Sequence, residues 1–548
     1  MRRIGVDFDN TIACYDEVFL KVANDLGYLL DEFCLTKSQV KKRILEINNG
    51  DVIWQKIQGQ VYGKYMHQAT IFPGLLEFLW LSKCRGDDVC IVSHKSEYGH
   101  FDESKTNLRM AATAWINENL IKSTSGKVFG DISQIYFEST REEKVKRIDQ
   151  IGCDFFIDDL QEIFDENNFP SRTEKILFDV NSQTKLTKIP KQFSSWRKIK
   201  KYIYDDDELA DVKFIVQSNF EALNIESIEL KKGRGNSRIY RLGDLCGKQY
   251  ALKIYPDIQS DNRPRLATEY YVCAQLSKQN FSVPQAVDKS DGLNWAIYEW
   301  VDGKAVDTPD MDFLKQSFQF IKDLQSNNQI RDQFKDAPLA SEACLSGEEI
   351  VSQIKGRLNR LANVKNANLD KFLNDKFLPI LDSVIIEAKL KMGVTFSMAL
   401  EKKYQVLNPS DFGAHNAVFD SQNKCHFFDF EYFGWDDPVK LASDFYWHPA
   451  MNLNSDLQII WISLTNELFG NDSTYAKRLT AYLPLFGLRW CLILLNEFIP
   501  ERLFSRAHAD KEVECNFENI LNMQLQKSTN LLKKIFEMVN HGSTIKTA

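Results

Sequence analysis

Asp411 stands five residues before Asn416, and a second acid, Asp429, follows that asparagine by thirteen, within Asn408-Pro-Ser-Asp-Phe-Gly-Ala-His-Asn416 and Phe427-Phe-Asp-Phe-Glu431. An acid, an amide and an acid at this spacing form the pattern of a catalytic loop followed by a metal-binding turn. The three side chains are useful together only if the chain folds back on itself between them. This stretch is therefore the strongest constraint on the architecture. A second acidic stretch, Val6-Asp-Phe-Asp-Asn-Thr-Ile12, opens the chain. Both are suited to holding phosphate and a divalent cation.

At 548 residues the chain exceeds one hydrophobic core, so two to four domains are expected. Net charge is −8 and no dense Lys/Arg block occurs, which argues against nucleic-acid or anionic-membrane binding. Eleven cysteines are scattered singly through apolar segments with no Cys-x-x-Cys pair, a pattern of reduced core thiols rather than disulfides or a zinc site. The N-terminal Met-Arg-Arg-Ile-Gly-Val-Asp reaches acidic residues before a signal-peptide core could form. The apolar run near Leu485–Leu495 is interrupted by Arg489 and is too short to span a bilayer. A cytoplasmic protein without membrane insertion is expected.

Arg3-Ile-Gly-Val6 reads as a buried parallel strand delivering Asp7 and Asp9 at its C-terminal end, the edge where open α/β sheets bind ligands. Two carboxylates held close need a compensating cation, for which magnesium is suited. Asp88-Val-Cys-Ile-Val-Ser93 is a second apolar strand ending in a hydroxyl, Lys144 begins a helix-like segment, and Cys153-Asp-Phe-Phe-Ile-Asp-Asp159 is a third strand ending in paired acids. This ordered set resembles the haloacid dehalogenase (HAD) superfamily over about residues 1–190. The resemblance implies an α/β, Rossmann-like domain over 1–195, with a helical cap at about 13–87. It implies Asp7 as nucleophile and Asp9 as acid and base. Thr11, Ser93 and Lys144 would bind phosphate, and Asp7, Asp9 and Asp158 (with Asp159) would bind Mg2+. His94 and Lys95, directly after Ser93, are placed to meet an anionic substrate, but such residues more often read as exposed loop charges. The polar stretch that follows, with the acidic run Tyr204–Glu208, reads as a linker over 196–214.

Ile228–Leu242 reads as strand, glycine-containing turn and strand, with Gly233 and Gly235 allowing close backbone approach and Asn236 and Ser237 able to donate to a phosphate. Lys253 interrupts an apolar strand, Glu269 follows on an amphipathic helix, and Glu299–Val301 ends another strand. With Asp411, Asn416 and Asp429 in register, residues 210–540 resemble the aminoglycoside phosphotransferase and choline kinase-like superfamily, whose loop reads His-x-Asp-x-x-x-x-Asn. That implies a two-lobed α+β protein-kinase-like fold, with an N-lobe at 215–300 and a helical C-lobe at 301–548. ATP or another NTP would be co-substrate. Lys253, paired with Glu269, would lie on its phosphates, Glu299 and Val301 against its base, Asp411 would be the catalytic base, and Asn416 and Asp429 the Mg2+ ligands. Pro409 stands where that family has histidine.

The expected function is therefore bifunctional. A magnesium phosphatase would be joined to an ATP-dependent kinase for a sugar or sugar phosphate in cell-surface saccharide precursor synthesis, acting on a small phosphorylated substrate. One alternative acceptor is an amino alcohol such as choline or ethanolamine, held in an aromatic cage for which Trp435, Trp447, Trp461 and Trp490 are candidates. Another alternative makes the kinase-like half a degenerate regulatory module on the phosphatase.

Overall fold

Ile4 and Val6 have no exposed surface, and a short apolar strand buried on both faces pairs in parallel with neighbours whose crossovers cover those faces. β1 (Arg3–Val6) does so. Next come the two-residue strands β2 (Ala13–Cys14) and β3 (Thr70–Ile71), paired antiparallel. The sheet continues with β4 (Asp88–His94), β5 (Ile132–Glu138), β6 (Phe155–Asp158), β7 (Glu174–Phe178) and β8 (Gln192–Phe193). Its order is β5-β4-β1-β6-β7-β8, and every pairing is parallel. Gly5 lets β1 pack tightly, since a Cβ there would lie 2.6 Å from the Phe156 ring.

The computed structural model describes residues 1–29, 36–101, 105–121, 132–180, 191–204, 208–231, 237–256, 263–499 and 517–540. They divide into two compact units, one of 1–231, 239–262 and 288–295, the other of 232–238, 263–287 and 296–548.

In the first unit, helices Asp16–Asp25, Lys37–Leu45 and Gly50–Tyr62 form the insertion between β2 and β3. Their apolar residues, including Phe19, Val22, Ile44 and Trp54, share one core with β1. The insertion closes at Ile71, short of the predicted residue 87. Leu75–Cys84 is instead the crossover helix leading into β4, with Leu75, Phe78 and Leu81 fully buried.

Residues 196–214, expected as a linker, begin with a packed helix. Polar residues mask an i, i+3, i+7 stripe of Trp196, Ile199 and Ile203 in the helix Trp196–Tyr204, all buried in the core of the first unit. The Trp196 Nε1–H donates to the Thr11 carbonyl at 2.9 Å. Helix Glu208–Asn219 is tied in by Asp211, 3.0 Å from Arg85. Residues 205–207 of the acidic run, and 181–190 before the expected linker, lie outside the described residues. β9 (Ile225–Lys231), β10 (Arg238–Asp244) and β11 (Gln249–Ile254) follow, in the order β11-β10-β9. Beyond them β12 (Ala286–Ser290) and β13 (Trp295–Glu299) are neighbours.

The second unit is mainly helical around short strands. β14 (Lys304–Ala305), β16 (Ala417–Phe419) and β17 (Cys425–Phe427) make a small antiparallel sheet. β15 (Val406–Asn408) pairs with β18 (Gly434–Asp436). Gln325, on the helix Met311–Ser326, both donates to and accepts from the Leu407 backbone, completing one edge of β15. Among the described residues one helix, Tyr475–Phe498, is long and apolar enough to cross a bilayer, and 72% of its apolar window is buried inside the fold, as for a core helix.

Candidate active sites

The parallel sheet's register decides which side chains meet at its C-terminal edge. Val6 is level with Ile91 and with Ile157, so Asp7 emerges level with Asp158, and Ser93 lies one residue further along β4. Lys144 is delivered by helix Arg141–Ile151, whose start is fixed by a capping box between Thr140 and Glu143. Its ammonium lies 2.6 Å from both Asp7 Oδ1 and Asp158 Oδ2. These three side chains are essentially buried, which rules out a surface role for Lys144. Asp7, Asp158 and Asp159 bring carboxylate oxygens within 4.8 Å of one another. Three carboxylates against one ammonium leave the cluster short of positive charge. Burial, opposed by Lys144 and reinforced by Asp7, pushes the Asp158 carboxyl up to about 7. Burial and then the charges of Asp158 and Asp7 hold Asp159 well above the carboxylate range. An all-oxygen donor set with unmet negative charge fits a hard divalent cation such as magnesium. Thr11 Oγ1 and Ser93 Oγ are buried without a hydrogen-bond partner, as donors awaiting an anionic oxygen would be.

Asp9 departs from expectation. Its carboxylate is turned away from the cluster to Lys95, at 2.7 and 2.9 Å, and accepts from the Tyr15 hydroxyl at 2.5 Å. As a side chain it is not among the clustered oxygens. Lys95, read as an exposed loop charge, is 3% exposed. The insertion adds Lys37, whose Nζ is 2.9 Å from the Tyr62 hydroxyl. Burial and then Asp9 push the Tyr15 phenol well above its usual range, so it stays a donor to Asp9. Replacing the cap residue, Thr140→Ala, is expected to cost about 1 kcal/mol of stability in chemical denaturation.

The second constellation hangs on β15 and β18. Asn408 at the end of β15 donates to Asp436 Oδ2 at 3.1 Å and accepts the Ser410 amide at 2.8 Å. Asp436 is paired with Lys440 at 3.2 Å, and Lys440 with Asp444 at 3.1 Å, so the loop leans on a buried charge lattice. Ser410 (φ 68°) and Asp429 (φ 71°) occupy the left-handed region, costing of order 1–3 kcal/mol each and typical of residues held for function. Asp411 Oδ1 faces His415 Nε2 at 2.9 Å and His448 Nε2 at 3.6 Å. Burial raises the Asp411 carboxyl's pKa, but the His415 bond, the charges of both imidazoles and Asn416 bring it down to about 2. Burial and then His415 depress His448 to about 4, so it is neutral near pH 7.

Asn416 Nδ2 donates to the Asp411 carbonyl at 2.9 Å, leaving its oxygen for a cation. The Phe428 amide donates to the Asn416 carbonyl at 3.0 Å, bringing Asp429 alongside. Asp429, Glu269 and Glu431 place carboxylate oxygens within 4.8 Å of one another, a second all-oxygen set suited to magnesium. Glu431 is paired with Arg265.

Lys253 is 7% exposed on β11, its Nζ 4.9 Å from the Tyr255 ring centre. The Glu299 amide donates to the Gln285 carbonyl at the end of β13, and Val301 follows directly. Ser237 is described, whereas Gly233, Gly235 and Asn236 lie outside the described residues. The proposed aromatic cage does not assemble. Trp435, Trp447 and Trp461 are buried, with their indole N–H groups on the carbonyls of Phe334, Leu483 and Ala442. Trp490 alone reaches the Asp411 group, packing edge-on to His448 at 4.6 Å.

Within the second unit, the Asp411 loop and the Asp429 turn are the features on which the resemblance to a kinase-like phosphotransferase rests. The model of the phosphotransferase enzyme family (APH) matches residues 227–462. Similar solved structures include a Plasmodium vivax ethanolamine kinase, 15% identical, with a TM-score of 0.41, covering 62% of this chain and 94% of that one. Choline kinase LicA from Streptococcus pneumoniae is 13% identical, with a TM-score of 0.40, covering 59% of this chain and 99% of that one. The ADP-bound aminoglycoside phosphotransferase APH(2'')-Ib is 15% identical, with a TM-score of 0.38, covering 61% and 99%. No curated protein matches the chain in sequence.

Sequence reasoning missed Tyr15, Lys37, His415, His448 and Glu431, and misread Lys95. Glu431 sits in the motif that was quoted, two residues past Asp429 on the same turn, and was legible. His448 is brought in from the far end of the helix Pro438–Trp447, and no spacing rule announces it.

Proposed function

We propose that the domain at 227–462 transfers the γ-phosphoryl group of ATP to the hydroxyl of a small cationic alcohol, of the choline or ethanolamine type. The observation that carries the acceptor class is the company Asp411 keeps. Its side-chain partners are two imidazoles and an amide, with no lysine or arginine among the described residues. A phosphorylated sugar at this aspartate would need such cations, whereas an ammonium group suits carboxylates and neutral rings. Asp411 would accept the hydroxyl proton as the oxygen attacks phosphorus, and Asn416, Asp429 and Glu431 would hold magnesium, which supplies charge neutralisation on the nucleotide phosphates. ADP formation with choline, ethanolamine, amino sugars and sugar phosphates tests this. ADP with an amino alcohol is expected. Turnover with sugar phosphates alone, or with none of the panel, overturns it.

A second reading is supported by the N-terminal geometry: a magnesium phosphomonoesterase of the haloacid dehalogenase kind, with Asp7 as nucleophile and Lys144 holding its orientation. The two unpartnered hydroxyls of Thr11 and Ser93 beside a cation-suited cluster carry it. Magnesium-dependent hydrolysis of p-nitrophenyl phosphate, lost in Asp7→Asn, is the expected result. Hydrolysis unchanged in that variant would sink the reading.

A further inference from the structure

Pro409 removes an imidazole from the place where loops of this type carry one, yet Asp411 is not left without one. Within the same loop His415 turns its Nε2 to Asp411 Oδ1 at 2.9 Å, while its Nδ1 is buried without a partner. With the carboxylate as its partner, Nε2 is the ring nitrogen placed to donate, and it donates to the aspartate. His448 stacks on His415, with ring centres 4.0 Å apart and planes within 5°. The Ala450 amide donates to His448 Nδ1 at 3.1 Å, which puts that ring's proton on Nε2 as well, also facing Asp411. Trp490 closes the stack, and its indole N–H is fixed on Asp444 at 2.9 Å. The loop is shaped for this arrangement. A Cβ on residue 413 would lie 2.7 Å from Met451 Sδ and 3.3 Å from the His415 ring, so Gly413 keeps the room that ring occupies.

We propose that His415, backed by the stacked His448, is the positioning residue for Asp411, occupying Oδ1 so that Oδ2 meets the acceptor hydroxyl. It does from within the loop what a histidine at 409 cannot do here. The inference rests on the kinase reading of this site, and its test separates the two. His415→Phe keeps the stack and loses the donor, and His415→Gln restores a donor at the ε position. His415→Phe is expected to lower kcat about 10- to 100-fold, as loss of an orienting partner does, with KM for ATP and the melting temperature nearly unchanged. His415→Gln is expected to recover most of that loss. Equal losses in both variants, or no loss in His415→Phe, overturn the proposal. If no acceptor yields ADP, the kinase reading fails by itself, and nitrogen NMR of the full-length protein still decides. The Nε2–H tautomer of His415, changed by Asp411→Asn, supports the proposal, and the Nδ1–H tautomer overturns it.

Discussion

Lys144→Met is expected to destabilise the first unit by about 3–5 kcal/mol, the cost of stranding buried charge by removing one partner. Lys144 is 1% exposed and bridges Asp7 and Asp158, which are 4% and 0% exposed, so no water can replace its ammonium. Asp159 adds a third carboxylate to the same space. Urea denaturation checks the loss, and a change below about 1 kcal/mol would contradict the geometry. The variant should also gain more from magnesium than the native protein does, because losing the ammonium leaves more negative charge for the cation to neutralise, and tighter binding to the folded state stabilises it more. The pH dependence has a defined sign. Asp158 binds its proton more tightly folded than unfolded, at about 7 against about 4. Its contribution to stability without metal is therefore present below about pH 4 and lost as pH rises to about 7.

Asp411→Asn is expected to lower kcat for phosphoryl transfer by about 10²- to 10⁴-fold, the usual worth of a positioned base. Asparagine keeps the size of the side chain and can still meet His415 and Asn416, so nucleotide affinity, measured calorimetrically, should stay within a few-fold. A variant that retained full turnover would remove Asp411 from the chemistry and favour the reading of this half as a regulatory module. Loss of nucleotide binding together with turnover would point to collapse of the loop.

What the sequence made legible were elements whose signal is local. The spacings from Asp411 to Asn416 and Asp429, and the succession Asp7, Ser93, Lys144 and Asp158, survive as geometry because each motif sits at a strand or helix end. Residues 196–204 were misjudged because lysines interleave with Trp196, Ile199 and Ile203, and composition outweighed period. The insertion's end was misplaced because apolar spacing alone does not distinguish an inserted helix from the crossover Leu75–Cys84. Lys95 and His448 carry no motif, and only tertiary folding brings them to Asp9 and Asp411. The tryptophans were over-read, since aromatic rings at helical spacing mostly fill cores, as Trp461 does against Phe445 at 3.9 Å.

The bond from Trp196 to the Thr11 carbonyl has a consequence for biosynthesis. The loop bearing Asp7 is synthesised before its brace, which follows nearly 190 residues later in the chain. At about 5–20 residues per second, a nascent chain would carry that loop unbraced for roughly ten seconds or more. A fragment ending at 195 would carry it unbraced permanently. The first unit is thus completed by one of its own late helices, and a product stalled or truncated before Trp196 should present the Asp7 loop without its brace.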